Sequence, residues 1–589
     1  MMTRKQYAFE KMTTRRLVVA LAAVLWGLAA GPSAIAETAG RPALTSVPPT
    51  DAVTARHGMV VAQEARAGRI GAEVLEKGGN AVDAAVATGF ALAVTYPRAG
   101  NIGGGGYMVI YLASRNLRIA IDYRETAPAE TTRDIFLDEQ GNADPRKSRD
   151  SALAIGVPGT VAGLTLAHRR YGSGRFTLAQ LMAPAIRLAR EGIPIEADTA
   201  DSLPRAQARL GRWPSSAKIF FKRDGGVLGP GDTLVQSDLA ATLEAIARDG
   251  PRAFYQGPIA EKLAAAVRAA GGLMTADDLR DYRPILRRPV RGNYRGHEIV
   301  SMPPSSSGGV ILIEMLNVLE GYRLAELDAG ARAHVMVEAM KRAYADRAVY
   351  LGDPRVVSAP LARLMSKRYA VLLRAGIDLD HATPAADVAP GVSLPNEGDN
   401  TTHFSVVDRF GNAVANTTTL NFSYGVGLVA EGTGVLLNNE LDDFAAKPAT
   451  PNAFGLIGFE ANAPGPGKRP LSSMTPTIVL RNGRPVLVTG SPGGSRIITT
   501  VLQVIINAID LEMPIAQAVA APRIHHQWSP DQVSVERDLA ADVIAALEAR
   551  GHKVVQAAPG TSANSILVTP QGLVGAADAR SRGALAVGH

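Results

Sequence analysis

The chain changes character abruptly at Thr401. Residues 150–380 alternate helical patterns with short loops, among them TLAQLMAPAIRLAREG and RAHVMVEAMKRAYADRA. Residues 381–399 are rich in Pro, Ala, Gly and Asp and carry little periodicity, as an exposed linker does. From Thr401 strands take over. In TTHFSVVDRFGNAVANTTTLNFSYG, 403–408 reads as a strand, 409–412 as a turn and 413–420 as the returning strand. Such a hairpin carries 417–421 back alongside Thr401. Its register stays open, because a one-residue bulge changes which side chain faces Thr401. Taken alone, the segment is a threonine-rich hairpin, and threonine favours strands.

Upstream, 58–97 follows a helical pattern that stops and restarts at Gly78-Gly79-Asn80. Within it the run 81–94 is apolar and Ala/Gly-rich, interrupted by Asp83, and suits a tightly packed buried helix. Residues 37–57 are Pro/Thr-rich and read as an irregular lead-in. NIGGGG (101–106) runs into the strand-like YMVIYL. It has neither the G-x-G-x-x-G spacing nor a following G-K-[ST], so close packing explains it better than a phosphate cradle. TPTIVL-RNGR-PVLVTG reads as a hairpin around Asn482-Gly483. It leads through Ser491-Pro492-Gly493-Gly494-Ser495 into a long apolar helix at about 496–508. Backbone N–H groups where glycines enter a helix suit developing negative charge.

The first 36 residues read as a secretory signal peptide. Arg4, Lys5, Lys11, Arg15 and Arg16 stand against Glu10 alone, 17–30 is apolar, and Ala34-Ile35-Ala36 is an A-x-A cleavage signal. The apolar run is shorter than the roughly 20 residues of a membrane span, and a lone Arg15-Arg16 pair is weak ground for twin-arginine export. Removing this leader takes away four of the seven net positive charges, so the basic balance gives no case for nucleic acid. The mature chain is expected to be soluble and periplasmic or secreted, with no stable membrane insertion. It has no cysteine, which excludes disulfides, thiolate zinc sites and a cysteine nucleophile. The full chain of 589 residues is 46% hydrophobic, enough to supply a core that needs no disulfide staple. Adjacent His525 and His526 lack metal-ligand spacing. Without H-E-x-x-H or G-x-S-x-G, zinc-peptidase and α/β-hydrolase readings have no support, and no cofactor or metal is expected.

The Thr401 string resembles the signature of the γ-glutamyltransferase family, T-T-H-x-S, G-N-x-V, T-x-T-L-N and an aromatic-Gly pair. DYRETAP, PPSSSGG, NNELDDF, KRPLSSMTPT, TGSPGGSRIITT and APRIHHQW extend the resemblance, in order, over nearly the whole mature chain. The family belongs to the N-terminal nucleophile hydrolases, which implies a four-layer αββα sandwich of the α/β (α+β layered) class. It further implies a cut between Asn400 and Thr401, giving a large subunit (37–400) and a small catalytic subunit (401–589) that form one heterodimer and one αββα unit. The substrates implied are glutathione and other γ-glutamyl compounds, with amino acids or peptides as acceptors.

The chemistry suits these residues. A threonine hydroxyl needs a base to take its proton, and the cut supplies the new α-amine of Thr401, whose reference pKa is about 7.7–8.0. By resemblance, Thr419 steadies the Thr401 hydroxyl, and Gly493 and Gly494 are the oxyanion-hole glycines. Arg124 pairs with the substrate α-carboxylate, helped by Ser472 and Ser473; a planar guanidinium can hold a carboxylate bidentately. Asn421, Glu440 and Asp443 hold the α-ammonium; family members carry Gln or Glu at the Glu440 position. KPATPNAFGLIGFEANAPGPGKRP resembles a lid loop, with Phe454 as its aromatic. Two alternatives remain: an acylase of the cephalosporin-acylase type on the same scaffold, preferring a glutaryl group, and an unprocessed γ-glutamyl-peptide binder.

Overall fold

The strand Thr401–Val407 is buried along its whole length, which requires cover on both faces, since successive side chains point to opposite sides of a sheet. Phe404 and Val406 enter a layer of helices, whereas Val407, with Ala413 and Ala415 of the returning strand Ala413–Thr419, faces a second sheet. These relationships belong to a computed structural model that describes residues 47–48, 50–388, 401–558 and 560–589. The leader read over 1–36 and the residue Asn400 lie outside the described residues.

The first sheet has seven antiparallel strands in the order Leu585–Gly588, Met59–Ala62, Thr401–Val407, Ala413–Thr419, Gly105–Leu112, Leu117–Asp122 and Ile285–Arg287. The second, also seven-stranded and antiparallel, runs Ala52–Ala55, Gly572–Ala576, Ser565–Thr569, Arg484–Thr489, Thr477–Arg481, His297–Ser301 and Val290–Tyr294. Val61, Tyr107, Val109 and Tyr111 of the first meet Val300, Ile478, Val488 and Ile566 of the second in one apolar layer. Helices including Ala65–Glu76, Ala81–Thr95 and Leu178–Glu191 cover the outer face of the first sheet. Gly308–Leu319, Ala329–Tyr350 and Arg496–Ile509 cover the second. The layer order is helix, sheet, sheet, helix, the αββα sandwich expected from sequence. Among the described residues no helix is long and apolar enough to cross a membrane.

Local chemistry accounts for the key elements. Helix Ala81–Thr95 is buried at every position. Asp83, the residue that interrupts the apolar run, closes a capping box with Asn80 and so starts the helix. Asn482 and Gly483 both take positive φ (51° and 72°), as a tight turn between Thr477–Arg481 and Arg484–Thr489 demands. The glycines of NIGGGG are packing glycines: a Cβ on Gly104 would stand 2.1 Å from the Thr419 carbonyl oxygen, and one on Gly103 2.1 Å from that of Leu436.

Three parts of the sequence reading need correction. Met59–Ala62 (MVVA), read into a helical pattern, is a strand between Thr401–Val407 and Leu585–Gly588. A four-residue apolar run has no period of its own, and β-branched Val60 and Val61 suit a strand. Ala52–Ala55 in the lead-in is an edge strand against Gly572–Ala576. The helical stretch contains the strands Ile285–Arg287, Val290–Tyr294 and His297–Ser301, the last two joined through Arg295 and Gly296 at positive φ. At the end of the first sheet, the His589 carbonyl oxygen accepts from the amides of Arg56 (3.1 Å) and His57 (2.8 Å).

Candidate active site

The Thr401 hairpin is in register without a bulge, so Thr401 pairs with Thr419. The Thr401 hydroxyl donates to Thr419 Oγ1 at 3.4 Å, and the same oxygen accepts from the Asn421 amide at 2.8 Å. Asn421 turns the chain away at φ 72°. Its Nδ2 donates to the Asn439 carbonyl (2.9 Å), which leaves Oδ1 as the acceptor end of the side chain. Thr401 and Thr419 line a cleft of about 260 Å³ together with Arg124, Asn421, Glu440, Asp443, Phe454, Ser472, Ser473 and Gly494.

Gly493 is the one residue of the sequence-derived set, among those described, that does not line this cleft. It sits behind Gly494 against Thr561, where an added Cβ would come within 2.4 Å of Thr561 Cγ2. Gly493 has φ 128° and Gly494 φ 52°. Among the described residues neither amide donates to a protein acceptor, and the helix Arg496–Ile509 starts directly behind them. Unspent N–H groups at a helix N-terminus favour an anion there. Tyr344 Oη, from helix Ala329–Tyr350, donates to the Ser495 carbonyl and pins the turn.

At the far end of the cleft Arg124 is wholly buried, and its guanidinium donates to Glu440 Oε1 and Asp443 Oδ2. The arginine read for a carboxylate and two of the residues read for an ammonium are therefore paired with each other. Sequence reading passed over Glu125, though it is part of DYRETAP. It is wholly buried, with Oε2 4.0 Å from the same guanidinium. Both its oxygens and Glu440 Oε2 lack a donor among the described residues, and a buried acceptor left unpaired is costly. Burial raises the Glu125 pKa to about 7 and that of Glu440 well above the usual carboxylate range.

The PPSSSGG motif forms the floor under Ser472 and Ser473. Ser307 donates to the Ser472 carbonyl from its amide (2.9 Å) and its hydroxyl (2.7 Å), the Ser472 amide donates to Ser305 (3.0 Å), and Ser306 Oγ donates to Met474 (2.6 Å). Phe454 lines the cleft and is stacked on Phe422, with ring centroids 5.4 Å apart. Gln527 of APRIHHQW reaches it: Gln527 Nε2 donates to the Phe454 carbonyl at 3.1 Å. Behind it, His525 Nε2 lies 3.0 Å from Gln527 Oε1, and its Nδ1 lies 2.9 Å from Thr499 Oγ1. An amide oxygen only accepts, so Nε2 carries the proton. Burial lowers the His525 pKa to about 3 and keeps the ring neutral.

His334, Glu338 and His552 bring possible metal-ligand atoms within 4.8 Å of one another. The facing groups of all three are already engaged with one another or with neighbours. His334 Nε2 donates to the Asp378 carbonyl (2.7 Å), so Nδ1 accepts from His552 Nε2 (2.7 Å), while Lys341 and Arg342 hold Glu338. The cluster is a hydrogen-bonded tie.

Two antiparallel sheets packed face to face between helical layers, with a threonine opening a central strand at a cleft, define an N-terminal nucleophile hydrolase. The "Gamma-glutamyltranspeptidase" family model matches residues 67–588, and the chain belongs to that family. It is 49% identical over 540 residues to the glutathione hydrolase proenzyme of Escherichia coli K12, spanning 91% of this chain and 93% of that one. Among solved structures, it superposes on a cephalosporin acylase from Bacillus halodurans with a TM-score of 0.80 at 26% identity, covering 94% of this chain and 99% of the other. The γ-glutamyltranspeptidase of Helicobacter pylori matches with a TM-score of 0.54 at 47% identity, covering 56% of this chain and 95% of that one.

Proposed function

We propose that the chain is an exported γ-glutamyltransferase and glutathione hydrolase, made as a proenzyme that cuts itself between Asn400 and Thr401. The observation that carries this reading is the layout of the cleft. A threonine and unspent amides occupy one end, and a buried arginine among carboxyls occupies the other. A γ-glutamyl amide has the matching layout, with a scissile carbonyl at one end and a zwitterionic α-carbon at the other.

In this reading the Thr401 hydroxyl attacks the carbonyl before it, and water hydrolyses the resulting ester, leaving large (37–400) and small (401–589) subunits. The freed α-amine then takes the Thr401 proton as the hydroxyl attacks the γ-carbonyl. Thr419 fixes the hydroxyl. The Gly494 amide, with that of Gly493 behind it, receives the oxyanion, a contribution of about 10²–10³ in rate per donor. Collapse expels the amine, which receives the proton, and water or an acceptor amine releases the γ-glutamyl ester. Arg124, Ser472 and Ser473 hold the α-carboxylate; Asn421 Oδ1, Glu440 and Asp443 hold the ammonium. The zwitterion exchanges one set of ion pairs for another, which limits the desolvation cost of binding.

A denaturing gel with N-terminal sequencing tests maturation: two chains, the smaller beginning TTHFS, with Thr401→Ala a single inactive chain. An active enzyme that remains one chain rules the mechanism out. The likeness to a cephalosporin acylase favours a second reading, a glutaryl amidase. Asp443→Ala separates the two. It should lower kcat/KM on a γ-glutamyl anilide at least about tenfold, the value of one charged hydrogen bond, and cost much less on the glutaryl anilide, which has no ammonium. Equal losses would remove the ammonium from the assignment.

A further inference from the structure

Arg347, on helix Ala329–Tyr350, is only 3% exposed and has no carboxylate within ion-pair distance among the described residues. Other buried arginines differ: Arg124, Arg342, Arg469, Arg523 and Arg580 each have a carboxylate oxygen within 4.0 Å. Burying a guanidinium without a counter-charge is expensive. Burial lowers its pKa to about 10, so it remains a cation at neutral pH.

Its hydrogen bonds run toward the cleft. Nε donates to Ser307 Oγ at 2.9 Å, and Nη2 donates to Ser473 Oγ at 3.4 Å. Ser307 passes its own proton to the Ser472 carbonyl. Ser473 Oγ thus accepts from Arg347, and Ser472 Oγ accepts from the Met474 amide at 3.1 Å. Among the described residues neither hydroxyl donates to protein. Each has acceptor capacity engaged below and an O–H left to offer to an anion in the cleft they line.

We infer that Arg347 is a positioning residue for the donor's α-carboxylate, an anion-facing second arginine that acts through Ser473 and the Ser307–Ser472 link. The inference rests on the γ-glutamyl reading above. It explains why PPSSSGG stands between a helix and the LSSM segment: Ser307 is the relay from the guanidinium to Ser472. Asp443 attracts Arg347 from beyond ion-pair distance while accepting from Arg124, and a substrate carboxylate in the cleft would add the nearer counter-charge.

The test uses processed enzyme carrying Arg347→Met or Arg347→Lys and three anilides. The γ-glutamyl anilide has both charges, the glutaryl anilide lacks the ammonium, and the 4-aminobutanoyl anilide lacks the carboxylate. Single-turnover acylation with enzyme in excess registers slow donors. Arg347→Met should weaken the γ-glutamyl and glutaryl anilides at least about tenfold, chiefly in the concentration for half-maximal acylation. The 4-aminobutanoyl anilide should change less than about twofold, and Arg347→Lys should recover part of the loss. Equal losses on all three donors, or none on the γ-glutamyl anilide, overturn the inference. A wild-type enzyme inert toward the γ-glutamyl anilide would instead overturn the function on which it rests.

Discussion

Thr401 stands directly across an unbroken antiparallel ladder from Thr419, with 3.4 Å between their hydroxyl oxygens. One oxygen of Thr419 serves both the Thr401 hydroxyl and the Asn421 amide. Thr419→Val keeps the shape and removes that oxygen. It should slow both self-cleavage and kcat by about tenfold or more, while Thr419→Ser preserves both. Time-resolved gels and steady-state kinetics on the same preparations check this. Unimpaired maturation in Thr419→Val would show that the hydroxyl is fixed by something else.

The two glycines of the turn should tolerate alanine unequally, in the order opposite to their exposure to the cleft. Gly493 combines φ 128°, a region closed to L side chains, with a 2.4 Å clash at Thr561, whereas Gly494 at φ 52° is left-handed but reachable. Gly493→Ala should cost about 10²-fold in kcat, and Gly494→Ala less. The reverse order would place the essential amide on Gly494 alone.

The raised pKa of buried Glu125 sets a pH dependence. Below about pH 7 Glu125 keeps its proton, and the acid end of the cleft has less negative charge to offer an ammonium. Above it the charge is present. The inhibition constant of L-glutamate should therefore fall roughly three- to tenfold from pH 6 to pH 8. That of glutarate, which brings no ammonium, should stay level or rise. Parallel pH profiles for the two would remove Glu125 from ammonium binding.

Gln527 ties the Phe454 loop to the segment behind it. Gln527→Leu leaves the Phe454 carbonyl without that donor and should raise KM about three- to tenfold with little change in kcat. Amide hydrogen exchange over 450–458 should quicken in parallel. A raised KM with unchanged exchange would point to an effect on the pocket rather than on the Phe454 loop.

The sequence made the hairpin, the glycine turn and the long helix behind it readable, because each has its own period or turn chemistry. The residues carried over by resemblance meet in one cleft, apart from Gly493 and from Asn400, which lies outside the described residues. Met59–Ala62 was illegible because four apolar residues cannot declare a period. Arg347 and Glu125 were illegible for another reason: charged side chains are usually solvated, and only tertiary packing shows that these two are buried. Gln527 carried no signal beyond its place in a motif, since its partner lies 73 positions away.

The bond between His589 and the amides of Arg56 and His57 brings the far end of the sequence beside the first strands of the sheets. A short linker from residue 589 back to about residue 50 would close the described fold into a ring without disturbing a sheet. The ring could then be reopened before Thr401. A gene rearranged in this way would, once its initiator methionine is removed, begin with the proposed nucleophile already in place, and its product would need no self-cleavage to become an enzyme.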